Sequence, residues 1–148
     1  MLYQLTDQGG MVLRLIIEDD CENKSQYEDQ QDFRSNIEEI IRDYVKFDSL
    51  KYFVISNSDN LKFFNTINKY ADLINAKRLG STDEEYQVFG KCIYGLNDKN
   101  EFQQAIIIPE AIFIRFLSYR ILEEQGDEYQ YASFIVFHEM GHVIANLD

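Results

Sequence analysis

The segment from about Tyr129 to Asn146 constrains this chain more than any other. Ser133-Phe134-Ile135-Val136-Phe137 and Val143-Ile144 are uncharged and mostly bulky. A stretch of several helical turns that is apolar on nearly every side is expected to be a buried, central helix. The rest of the chain must then supply the layers that pack on it. Both histidines of the protein, His138 and His142, lie in this segment four residues apart, with Glu139 directly after the first. Residues i and i+4 share a helix face, so two imidazoles so spaced reach one ion while Glu139 leans over a water bound to it. Two neutral nitrogen ligands, an open coordination position and a carboxylate base are what a hydrolytic zinc needs. The plainer reading is a structural helix with core histidines. Against it stands the cost of burying three such polar groups without a partner.

The pattern His138-Glu139-Met140-Gly141-His142 is H-E-x-x-H. From Phe134 to Ile144 the sequence resembles the zincin metallopeptidases, whose active-site helix is an uncharged run carrying this motif. The resemblance implies Zn2+ held by His138 and His142, with Glu139 as general base and acid. It implies a mixed sheet packed against the active-site helix. It also implies that an edge strand of that sheet pairs with an extended peptide substrate through main-chain hydrogen bonds. Gln104 to Ile108 is the candidate for that strand, and an interior position for so apolar a strand is the alternative.

The length, 148 residues, suggests one domain. On the resemblance this is a single zincin-like domain over 1–148, or the N-terminal part of a longer catalytic domain. The chain is 45% hydrophobic and 14% aromatic, enough for a core. Its formal net charge of −12 disfavours nucleic-acid phosphates and anionic membranes as partners. No apolar run is long enough to span a bilayer, and the start lacks the basic and apolar regions of a signal peptide. Cys21 and Cys92 lie far apart and are expected to be free thiols. The expected location is cytoplasmic.

Read in order, Leu2–Leu5 and Met11–Ile17 form a possible hairpin around the turn residues Thr6 to Gly10. Glu18 to Gln31 is polar and acidic, a solvated loop. Asp32 to about Phe47 has helical spacing, with Phe33, Ile37, Ile40, Ile41, Tyr44 and Val45 on one stripe. Lys51–Ser56 is a strand. A second helix, about Asp59 to Ala76, carries Phe63, Phe64, Ile67, Tyr70, Ala71 and Ile74. Tyr86–Leu96 and Phe102–Ile108 are strands joined at Asn97-Asp98-Lys99-Asn100. Ala111–Gln125 is a helix ending at Gly126, and Asp127 with Gln130 resembles a capping box for the last helix. The order β-β-α-β-α-β-β-α-α predicts an α+β fold: a mixed sheet of about five strands with packed helices, zincin-like, its active-site helix at the C-terminus.

A catalytic zinc takes a third protein ligand. Asp148 stands ten residues after His138, the third-ligand offset of the metzincin branch. Ala145, however, occupies the place of that branch's turning glycine, and a straight helix would carry Asp148 about 15 Å past His138. A turn at Asn146 would bring it back. A glutamate on a later helix, as in gluzincins, would lie outside this chain. Peptide deformylases also place the motif late, with an upstream cysteine ligand, which makes Cys92 a candidate. Yet Phe89-Gly90-Lys91-Cys92-Ile93-Tyr94 is not their cysteine motif. Otherwise Cys92 is a small core residue, and Glu110, Glu123 and Glu124 are solvated helix glutamates that remain open as ligands.

Two functions follow. One is a zinc-dependent metallopeptidase acting on a peptide or protein substrate. The other is a non-enzymatic acidic interaction or inhibitor protein, its H-E-x-x-H helix degenerate or structural. Substrate, cleavage preference, third ligand and oligomeric state are not fixed by the sequence.

Overall fold

The computed structural model describes residues 2–6, 9–23, 33–44, 48–80, 90–120 and 123–145, with the side chains of 33, 34, 44, 144 and 145 excepted. Among these, nine elements follow in the expected order. They are β1 (Leu2–Thr6), β2 (Val12–Ile17), α1 (Phe33–Tyr44), β3 (Leu50–Ser56), α2 (Asn60–Leu73), β4 (Lys91–Leu96), β5 (Phe102–Pro109), α3 (Glu110–Arg120) and α4 (Asp127–Ala145). The fold is α+β around a mixed five-stranded sheet in the order β1-β2-β3-β5-β4. The hairpin β1/β2 is antiparallel, β2/β3 and β3/β5 are parallel, and β4/β5 is antiparallel. The expected cap at Asp32, the side chains of Phe33 and Tyr44, Val45, and residues 86–89 of the expected Tyr86–Leu96 strand lie outside the described residues.

The period-2 alternation of the strands divides the core into two layers. Leu13, Leu15, Ile17, Phe53, Ile55, Ile106 and Ile108 face one way, against Ile37 and Ile41 of α1, Phe113 and Phe116 of α3, and Ile135 and Val136 of α4. Val54, Ile93, Ala105 and Ile107 face the other way, against Phe63, Ile67 and Tyr70 of α2 and Ile74, which caps its C-terminus. Each such side chain, fully buried, contributes about 1.5–3 kcal/mol of transfer free energy. In β2 the Leu13–Leu15–Ile17 face is buried, while Val12, Arg14 and Ile16 are half-exposed.

The ends of α2 show local chemistry setting boundaries. Asp59, in extended backbone, accepts the N–H of Lys62 at 3.1 Å as N-cap. Asn75 takes a left-handed φ of 56°, and the N–H of Ala76 donates to the carbonyl of Ala71, closing the helix earlier than Ala76. Asp59→Ala is expected to lower stability by about 1 kcal/mol in a denaturant titration. An unchanged midpoint would show that the cap bond adds nothing over water.

α3 is described to Arg120; residues 121 and 122 lie outside the described residues, and Glu123 to Gln125 are not helical, so the helix stops short of Gln125. Glu123 is exposed at a left-handed φ of 55°. Gly126 does not end α3 but opens α4: its carbonyl accepts the N–H of Gln130, so Asp127 is a first-turn acid rather than the cap of a capping box. An acid there still complements the helix dipole. Glu18 is no idle surface acid, since its carboxylate accepts the Tyr70 hydroxyl at 2.6 Å and pairs with Lys69.

Candidate metal centre

α4 is not buried on all sides. Ala132, Ile135, Val136, Glu139, Met140 and Val143 form its buried stripe at i, i+3, i+4, i+7 spacing. Tyr131, Phe134, His138, Gly141 and His142 face outward, with Phe134 63% exposed. An uncharged composition therefore did not make this a central helix; among the described residues, no layer covers its outer face. The rotation of the helix is fixed by α3. The Phe137 ring meets Phe116 edge-on at 5.6 Å, and the Arg120 guanidinium lies over the Phe137 ring. With Phe137 turned to α3, the next residue, His138, faces out and Glu139 turns in.

His138 Nε2 and His142 Nε2 are 3.1 Å apart, with the rings nearly perpendicular. Zinc–nitrogen bonds of about 2.0–2.1 Å in a tetrahedron put two ligand nitrogens about 3.3 Å apart. The two imidazoles thus stand within a few tenths of an ångström of a ligand pair. The same separation also suits a hydrogen bond between two neutral imidazoles. Ligand atoms of His138, Glu139 and His142 all lie within 4.8 Å of one another. Phe134, one turn back, packs its ring 5.9 Å from that of His138 and limits where it swings.

Glu139 is 8% exposed, and burial raises its carboxyl pKa above the ordinary value. His142, His138, Lys91 and a backbone hydrogen bond from Cys92 pull it back down. A carboxylate shifted toward neutrality is suited to proton transfer. The wall over Glu139 is the start of β4. A Cβ on Gly90 would sit 3.1 Å from Glu139 Cγ, 3.0 Å from Ile108 Cδ1 and 3.3 Å from Ile135 Cγ2. A glycine inside the expected Tyr86–Leu96 strand was the one trace in the sequence of this close approach. The roles of Gly90, Lys91 and the Cys92 backbone are otherwise legible only in three dimensions.

The other candidate ligands separate clearly. Asp148 and the Asn146 turn lie outside the described residues. Cys92 is not part of the His–Glu–His group; it packs on the core, and burial, with Glu139 adding to it, pushes its thiol up to about 12. Glu110 is not a solvated helix glutamate. It is 2% exposed, and its carboxylate accepts the backbone N–H groups of Glu22 and Asn23. Glu123 and Glu124 are exposed. Gln104–Ile108 is not an edge strand: β5 lies between β3 and β4, and the edge beside α4 is β4. Comparison with protein-family models, curated proteins and solved structures finds no match for the chain.

Proposed function

We propose that this protein is a zinc-dependent peptidase of zincin type. The observation that carries the reading is the pair of Nε2 atoms 3.1 Å apart beside the buried carboxylate of Glu139. His138 and His142 would hold the ion through neutral imidazoles. Bound zinc would supply a Lewis acid that activates a water and polarises the scissile carbonyl. Glu139 takes the proton of the attacking water and returns it to the leaving amine. The edge strand β4 would align an extended substrate by main-chain pairing, in place of Gln104–Ile108. Asp148, or a residue outside this chain, would complete the ligand set. Free Cys21 and Cys92 favour the cytoplasm as its compartment, and no described helix is long and apolar enough to cross a membrane.

Elemental analysis tests the site directly. About one zinc per chain is expected in the purified protein and none in His142→Ala, with zinc released as acid protonates the imidazoles. Wild-type protein that takes up no zinc on reconstitution would remove the proposal. The acidic interaction protein is the second reading, favoured by the lack of a third ligand in the His–Glu–His group among the described residues and by the charge of −12. Salt-sensitive binding to a basic protein, unchanged by removing both histidines, would support it.

A further inference from the structure

Downstream of α2 the chain pairs once more with the sheet, through a single bridge among the described residues. Ala76 bridges Gly95 of β4 in antiparallel register. Asn75 Nδ2 donates to the carbonyl of Leu96 at 3.0 Å, which closes that end. Beyond the bridge the pairing does not continue through the described residues 77–80. The buried side chain of Asn68 accepts the Leu79 N–H at 2.8 Å and donates to the Leu79 carbonyl, holding that residue to α2. The result is a groove of about 840 Å³ between the 76–80 segment and β4. Among the described residues, the outer edge of β4 from Lys91 to Ile93 has no strand partner.

The lining of this groove departs from the rest of the molecule. The chain has 26 acidic and 14 basic residues. Three of the basic ones, Lys77, Arg78 and Lys91, line the groove, and among the described residues no Asp or Glu does. Arg78 pairs with Asp72, which lies outside the lining. Lys77 and Lys91 have no ion pair among the described residues. Gly90, the residue before Lys91, passes close over Glu139, so the Lys91 end of the groove lies next to the His–Glu–His group. Its opposite end is apolar, with Leu96 exposed and the Tyr94 ring 5.6 Å from that of Phe102.

We infer that this groove binds an extended acidic peptide segment, pairing its backbone with β4 and its carboxylates with Lys77, Lys91 and Arg78. An unpaired strand edge recognises a peptide main chain. It has no such complement for a sugar–phosphate chain. In a protein of this net charge, a local cationic strip is also what lets an acidic segment approach. The inference deepens the peptidase reading by naming its substrate class, and it is tested by binding without metal so that the two fail separately.

The probe is a fluorescently labelled peptide of alternating glutamate and valine, followed by anisotropy in EDTA. Its counterparts carry glutamine or lysine in place of glutamate. The glutamate peptide is expected to bind about tenfold more tightly than the glutamine peptide, the worth of two exposed charge pairs. The lysine peptide should bind least, and added salt should weaken the glutamate complex. Lys77→Glu/Lys91→Glu should lose the preference, while the charge-matched Lys51→Glu/Lys62→Glu, away from the groove, should keep it. Both residues of the first pair are at least partly exposed, so its thermal midpoint should match that of the control. Equal affinity for glutamate and glutamine peptides would overturn the inference. So would equal loss in both double variants, or preference for a single-stranded oligonucleotide over the acidic peptide. A chain that binds the acidic peptide but takes up no zinc would keep the groove and lose the peptidase.

Discussion

On the proposed peptidase reading, Glu139→Gln is expected to keep zinc and lose peptide hydrolysis by about 10²–10⁴-fold, the worth of a positioned general base and acid. The substitution is close to isosteric, which matters here because the side chain is buried and Gly90 passes close over it. It also places a neutral group where burial already disfavours the carboxylate, so the fold should hold. What glutamine cannot do is take a proton from water. Neither Nε2 atom is touched by the change, so metal content should equal that of the wild type. The three measurements needed are turnover of a peptide, zinc per chain and the thermal midpoint. Turnover surviving with zinc in place would remove Glu139 from its assigned role. Loss of zinc together with turnover would instead make it a ligand.

The largest expected stability effect lies at Gly95. A Cβ there would sit 2.2 Å from the Ile74 carbonyl oxygen, 2.5 Å from Asn75 C and 2.6 Å from Asn75 O, all backbone atoms. No rotamer relieves such a contact. The turn that would have to move is also held by the left-handed Asn75, its bond to Leu96 and the Ala76 bridge. Gly95→Ala should therefore cost about 3 kcal/mol or more, at or above the usual range for overpacking. That corresponds to a fall of about 10 °C in the thermal midpoint for a chain of this size. The contrast is Gly141→Ala. A Cβ there meets nothing within 4 Å, and alanine in an exposed helix interior should gain about 0.5–1 kcal/mol. Equal midpoints for the two variants would mean that the 74–76 turn yields easily and does not fix the groove.

The two glycines look alike in the sequence, and the same limit applies more widely. The nine elements were legible in order because hydrophobic period is local: two in Leu13–Leu15–Ile17, near 3.6 in Ile37–Ile40–Ile41. Hairpins were legible because Asn97 and its neighbours carry turn chemistry; the Asn97 side chain accepts the N–H groups of Lys99 and Glu101. The boundaries of α2 and α3 were less so, since Asn75 and Glu123 leave the helix through left-handed backbone that no pattern announced. The edge assignment failed for a further reason. Gln104–Ile108 and Lys91–Leu96 are adjacent strands of one hairpin, and local sequence does not say which of them meets a third strand. That was decided by the parallel pairing of β5 with β3 through Phe53–Ile106, Val54–Ile107 and Ile55–Ile108.

By itself, the sequence determined the fold class and the pairing of His138 with His142, because helical spacing alone puts residues i and i+4 on one face. Tertiary structure decided which way that face points. Packing of Phe137 against Phe116 turns His138 outward and Glu139 beneath the start of β4. It also decided where the chain's few cations gather. Lys77 and Arg78 are distant in sequence from Lys91 and line one groove with it, where Asn68 holds Leu79 to α2. Such contacts depend on the order and register of strands, which are set by the whole core and by no single stretch of residues.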